Sequence, residues 1–137
     1  MDETYVSARD EALMRRYPQI FGPGPWPVHD TMLGWGLTIG DGWVPLLKRL
    51  CADLSIVIAQ DDLAEFRALQ VKEKFGSLRV YARGGNERTS ALIDGAVNAS
   101  EQTCEGCGIP SKIRSRRGWY TTMCDACVEM QKRNNGK

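Results

Sequence analysis

Hydrophobic positions along the 137-residue chain change their period several times, and each change predicts an element. In the segment Ser7 to Tyr17, Leu13 and Tyr17 share a helical face, Ser7 and Asp10 are placed as a capping box, and Pro18 closes the helix. Gly22 to Gly42 then loses all periodicity. Six glycines and three prolines in 21 residues oppose a regular element, yet the stretch holds Trp26, Trp35 and Ile39, and Trp43 follows. So many large apolar side chains predict a structured loop draped over a core rather than a disordered linker. With Asp41 placed to cap and Pro45 in the first turn, a helix is predicted to run to about Ala59. Leu46, Leu47, Leu50, Cys51, Leu54, Val57 and Ile58 recur there at three- and four-residue spacing, while Lys48, Arg49 and Asp53 fall elsewhere. This is the expected central core helix.

The period then shortens to two. Phe66 to Lys72 and Leu78 to Arg83 read as strands of an antiparallel hairpin around a turn containing Phe75 and Gly76. Alternation puts Arg79, Tyr81 and Arg83 on one face and Leu78, Val80 and Ala82 on the other. Asn86 is placed to cap a further helix to about Ser100 that buries Leu92, Ile93, Ala96 and Val97, with Gly95 as its weak point. Nothing repeats at a fixed period. The pattern predicts a single-domain α+β protein: a core over residues 1–103, a C-terminal finger over 104–133 and a frayed tail over 134–137, the fraying setting in from about Arg133.

The chemistry enters at Cys104-Glu-Gly-Cys107-Gly and, sixteen residues after Cys107, Cys124-Asp-Ala-Cys127. Two residues between cysteines let one tight turn aim both sulfurs at a single ion, and a second pair completes a tetrahedron, so the expected ligand set is a four-thiolate zinc site. Between the pairs, Lys112 to Thr122 has the length of a hairpin turning near Arg117 and Gly118. Cys124 opens a helix through Met130 to Arg133, the order of a treble-clef or zinc-ribbon-like finger. The competing readings are a redox pair, an iron centre or disulfides; a thioredoxin-type pair would need a larger parallel fold that this pattern lacks. Four cysteines leave no coordination position for water or substrate, so one structural zinc is expected. Cys51, on the apolar face of the core helix, reads as a small buried hydrophobe.

Composition narrows the function without naming it. No apolar run approaches a membrane span and the N-terminal residues have no cleavable signal order, which predicts a soluble, cytoplasmic protein with no membrane partner. The single histidine, His29, lies in the glycine-rich loop away from any nucleophile, and Asp61-Asp62 reads as solvated surface. The expectation is therefore a protein that is not an enzyme. Net charge is +1, but residues 104–137 carry +4 against −3 for the remainder. Arg114, Arg116 and Arg117 beside Trp119 and Tyr120 form a basic, aromatic segment suited to phosphates and bases; alternatively, Trp119 packs the finger on the domain while the arginines are solvated. Lys72, Lys74, Arg79 and Arg83 form a second basic run, with the composition of a protein hot spot as much as of a nucleic-acid face.

Gly40-Asp41-Gly42-Trp43 with Pro45-Leu46-Leu47 and Leu50-Cys51, Val71-Lys72-Glu73-Lys74-Phe75-Gly76 with Leu78-Arg79 and Tyr81, and Cys104-Glu-Gly-Cys107-Gly with Gly118-Trp119 and Cys124-Asp125 together resemble small uncharacterised proteins of bacteriophages, prophages and bacterial genomes. The resemblance spans roughly residues 13–127, and some relatives have a histidine near the last ligand. It implies a setting in a bacterial host cell rather than an activity. Within that setting the first expectation is an accessory factor that binds and occludes a protein complex, such as an inhibitor of host defence of the anti-CRISPR type. The second is a nucleic-acid-binding regulatory protein that uses the finger and hairpin arginines.

Overall fold

The computed structural model describes residues 3–135; the side chains of Arg116 and Asn135 lie outside that description. In chain order the elements are α1 (Ala8–Arg16), α2 (Pro18–Phe21), α3 (Val44–Gln60), β1 (Arg67–Lys74), β2 (Ser77–Arg83), α4 (Glu87–Ser100), β3 (Ile113–Arg116), β4 (Trp119–Thr122) and α5 (Asp125–Asn135). The α+β class and single compact domain expected from the pattern are present, with two small antiparallel sheets.

Ser7 caps α1 by accepting from the Asp10 amide at 3.2 Å. Asp10 does not supply the reciprocal half of a capping box. Its carboxylate is buried instead, accepting from Arg9 Nε at 2.8 Å and from the Leu37 amide at 2.9 Å, so it fastens the glycine-rich loop to α1. Pro18 ends α1 as expected and starts α2, where its missing N–H costs nothing. The loop is packed: Trp26, Leu33, Leu37 and Ile39 are in the core, and Trp26 Nε1 donates to the Phe21 carbonyl at 2.8 Å. Trp35 is the exception, facing outward and stacked on Tyr5 with ring centroids 5.1 Å apart.

Asp41 is not the cap of α3. It begins a short 3-10 turn over Asp41–Trp43, its exposed carboxylate pairs with Arg9 at 2.7 Å, and Trp43 occupies the position before the helix without a side-chain cap. All seven predicted apolar positions of α3 are buried, and it packs chiefly on α4. Burial pushes the Cys51 thiol up to about 12, consistent with a small apolar filler. On α4, Asn86 and Thr89 form a reciprocal capping box. Leu92, Ile93, Ala96 and Val97 are only half-buried, because α4 lies at the edge of the core with one face open. Asp61 is not simply solvated: it accepts from Asn86 Nδ2 at 2.9 Å and Arg88 at 2.8 Å, tying the end of α3 to the start of α4.

β1 and β2 pair in the register Arg67↔Arg83, Gln70↔Tyr81, Lys72↔Arg79 and Lys74↔Ser77, with an irregularity at Ala68/Gln70 that turns Leu69 outward. The predicted faces hold: Leu78 is buried and Val80 and Ala82 pack on the core. Phe66 falls just before the strand and fills the core. Thr38 pairs with the free edge of β1, donating to the Val71 carbonyl and accepting from the Glu73 amide, each at 3.1 Å. The helix α5 runs two residues past its predicted end at Arg133; residues 136–137 of the expected tail lie outside the described residues.

Candidate metal centre and adjoining surface

The centre is assembled from a knuckle and a helix start. Gly108 donates to the Cys104 carbonyl at 2.9 Å and Cys104 to the Ile109 carbonyl at 2.8 Å, closing a tight turn around the first cysteine pair. The hairpin β3–β4 turns at Arg117 and Gly118, both in the left-handed region, and returns the chain to Cys124 immediately before α5, with Cys127 in its first turn. Gly106 is required by proximity: a Cβ there would lie 2.8 Å from Cys127 Sγ. The result is four sulfurs, of Cys104, Cys107, Cys124 and Cys127, all within 4.8 Å of one another and arranged to hold a metal ion.

Their electrostatics favour a cation. Cys104 is fully buried, which by itself raises its thiol. The backbone N–H groups of Cys124 (3.2 Å), Cys107 (3.5 Å) and Gly106 outweigh that and bring it down to about 6. Cys127 goes the other way, up to about 12, because its hydrogen bond to Cys124, burial and the neighbouring sulfurs all oppose a second negative charge. One thiolate is therefore preformed, and the others gain theirs when a divalent ion shares the charge. The first turn of α5 adds its positive end to the same spot.

The finger is anchored to the core by contacts that its own sequence does not announce. Gly42 donates to the Glu105 carbonyl at 2.7 Å, Gly40 to the Glu105 carboxylate at 3.0 Å, and Trp43 Nε1 to the Thr103 carbonyl at 2.8 Å. A Cβ on Gly42 would collide with the Cys104 carbonyl and the Gly108 amide. On the other side Thr122 Oγ1 donates to the Gly76 carbonyl at 2.7 Å, in a buried contact. The Gly40–Trp43 segment and the Phe75–Gly76 turn are thus the two sockets of the metal knuckle. For the first segment the density of glycine beside tryptophan is the sequence signal of this role; the Phe75–Gly76 turn carries no such signal.

Trp119 does not pack the finger on the domain. It is 77% exposed, and with Phe75 (62% exposed) and Tyr120 it walls a groove of about 600 Å³ between the Phe75–Gly76 turn and the finger hairpin. Lys74, whose ammonium lies 5.5 Å from the Phe75 ring centroid, and Arg117 line it as well, together with the carboxylates Glu73 and Glu105. Arg114 lines an adjoining groove and pairs with Asp125 at 2.9 Å; the Arg116 side chain is outside the described residues. Lys72, Arg79 and Arg83 do not line the groove but occupy the outer face of β1–β2. Strand alternation does not mark Phe75 as a surface residue. Its left-handed φ of 56° holds it on a tight turn, where it reaches neither sheet face. His29 is exposed, with Asp30 as its nearest carboxylate at 3.6 Å.

Fold and site together define a small α+β domain whose C-terminal finger gathers four cysteines arranged to hold a metal ion. No family model, curated protein or solved structure matches the chain. No helix among the described residues is long and apolar enough to cross a membrane.

Proposed function

We propose that the protein is a non-catalytic recognition module, stapled by one structural zinc ion, that docks on a protein complex through the groove at the finger and occludes it. Zinc suits four thiolates at this spacing, and four sulfurs fill a tetrahedral sphere, which supports a structural rather than catalytic ion. The observation that carries the binding role is the exposure of Trp119 and Phe75 beside Arg117. A domain of this size has ample core in which to bury them, and aromatic and arginine side chains around a concave surface are the composition of binding hot spots. The resemblance to phage and prophage proteins supports a bacterial cytoplasm as the setting and a host defence or regulatory complex as the partner.

The test places a photo-crosslinking phenylalanine analogue at Trp119 or Phe75 in the zinc-loaded protein, with Ile56, exposed on α3, as the control position. The expected result is a discrete, nuclease-resistant protein adduct in bacterial cells from the two groove positions and not from Ile56. Trp119→Ala should weaken the captured complex about thirtyfold, the scale of a hot-spot residue. Equal adducts from all three positions, or adducts that nuclease removes, would overturn the reading.

A further inference from the structure

The outer face of the β1–β2 hairpin gathers cations that no carboxylate among the described residues neutralises. One of them, Arg67, is turned onto the backbone, with its guanidinium against Gly22 and its Nε donating to the Phe66 carbonyl at 3.4 Å. Lys72 lies directly opposite Arg79, and Arg67 directly opposite Arg83. Like charges in cross-strand register destabilise a sheet. Among the described residues none of these four cations, nor Lys74, takes part in an ion pair. Arg79 Nε is shielded from solvent without an acceptor. The only acidic residue of either strand, Glu73, is opposite the buried Leu78, and its carboxylate accepts from the Gly76 amide at 2.8 Å. Between the two like-charge pairs sits an exposed aromatic ring, Tyr81, opposite Gln70.

We infer that this face binds a single strand of nucleic acid, with the phosphates along Arg83, Arg79 and Lys72 and a base stacked on Tyr81. Charge complementarity selects a polyanion. Along β2 the residues Arg83, Tyr81 and Arg79 recur about every 6.6 Å, so a cation flanks the ring on either side, with Lys72 across from Arg79. A base reaches that ring only where it is not paired and stacked inside a duplex. A ring alternating with cations supplies the sequence-tolerant stacking such sites use. The face is distinct from the Trp119 groove and adjoins it at Lys74–Phe75. A protein complex that itself handles a nucleic-acid strand would therefore meet both surfaces at once.

The experiment is fluorescence polarisation of the full-length, zinc-loaded protein with fluorescein-labelled oligothymidylate and oligouridylate of about 20 nucleotides, across a salt series. Saturable binding should weaken with a log–log salt slope of about −2, the value for three phosphate contacts on a single strand. Lys72→Ala with Arg79→Ala should flatten that slope by about 1.4. Tyr81→Ala should cost about tenfold in affinity and leave the slope unchanged, a separation that general charge loss would not produce. Trp119→Ala should stay within about twofold of wild type if the sheet face is the site. Circular dichroism and zinc content establish that each variant is folded. The inference is overturned by absence of binding at low salt, by equal competition from polyglutamate or duplex DNA, by an unchanged slope in the double variant, or by loss of binding in Trp119→Ala. The first three leave the crosslinking result at the groove untouched, whereas loss of binding in Trp119→Ala would place the strand in the groove and count against protein docking there, which the nuclease step of the crosslinking experiment reads separately.

Discussion

Two glycines in the same chain have opposite reasons to be there. At Gly42 the Cys104 carbonyl and Gly108 amide already occupy the space of a Cβ, whereas around Gly95 nothing lies within 4 Å. Gly42→Ala should therefore cost about 1–3 kcal/mol through forced displacement of the knuckle. Gly95→Ala should gain about 0.5–1 kcal/mol by restoring helix propensity in α4. Urea denaturation of the metal-loaded protein reads both, and a neutral Gly42→Ala would show that the knuckle yields at that point. Glu105 offers a test in pH. Burial, with help from Glu73 and Cys104 and against the Gly40 amide, raises its carboxyl above the usual range. A raised folded pKa means stability present in acid and lost as pH rises through it, so the charged form is a burden at neutrality. Glu105→Gln keeps a carbonyl to accept from Gly40 and removes that burden. Its stability relative to wild type should thus be higher at pH 7 than at pH 5; a difference that does not change with pH would contradict the cause assigned here.

Among the elements, those built on periodicity were legible in advance and those built on distant contacts were not. The seven apolar positions of α3, the Phe75–Gly76 hairpin and the Asn86 cap follow from local spacing, as does the four-cysteine set. Asp10 and Asp41 look alike as capping residues, and both pair with Arg9, yet one is buried and accepts from the Leu37 amide while the other stays exposed, because the loop's return over α1 decides between them. Trp119 shows the same limit from the other side: sequence marks a large ring but not which way a four-residue strand turns it. For the finger itself the prediction is direct. Zinc added to the reduced, metal-free protein at pH 7 should release about two or more protons per ion, since Cys107 and Cys127 are held up and must ionise to bind. Calorimetry in buffers of different ionisation enthalpy counts them. Cys104→Ser should abolish stoichiometric zinc and melt β3, β4 and α5, measured as lost ellipticity; a variant that keeps one tight zinc would remove Cys104 from the ligand set.

For the molecule as a whole, the metal centre is part of the main fold rather than an appendage. Hydrogen bonds from Gly40, Gly42 and Trp43 enter the knuckle from one side, and Thr122 joins the hairpin turn from the other. Chelation should therefore be felt beyond the finger. Hydrogen exchange should show the Gly42 amide, bonded to Glu105, losing protection on metal removal while the interior of α3 stays slow. Continued protection of Gly42 without metal would mean the socket stands alone. The same span sets an order of events during synthesis. Trp43 is fully buried, yet the carbonyl that receives its indole N–H belongs to Thr103, sixty residues later. A ribosome delivers the start of α3 long before it delivers that partner, so the nascent chain waits with an incompletely covered tryptophan, and four sulfurs are available to a metal ion only once the last cysteine has emerged.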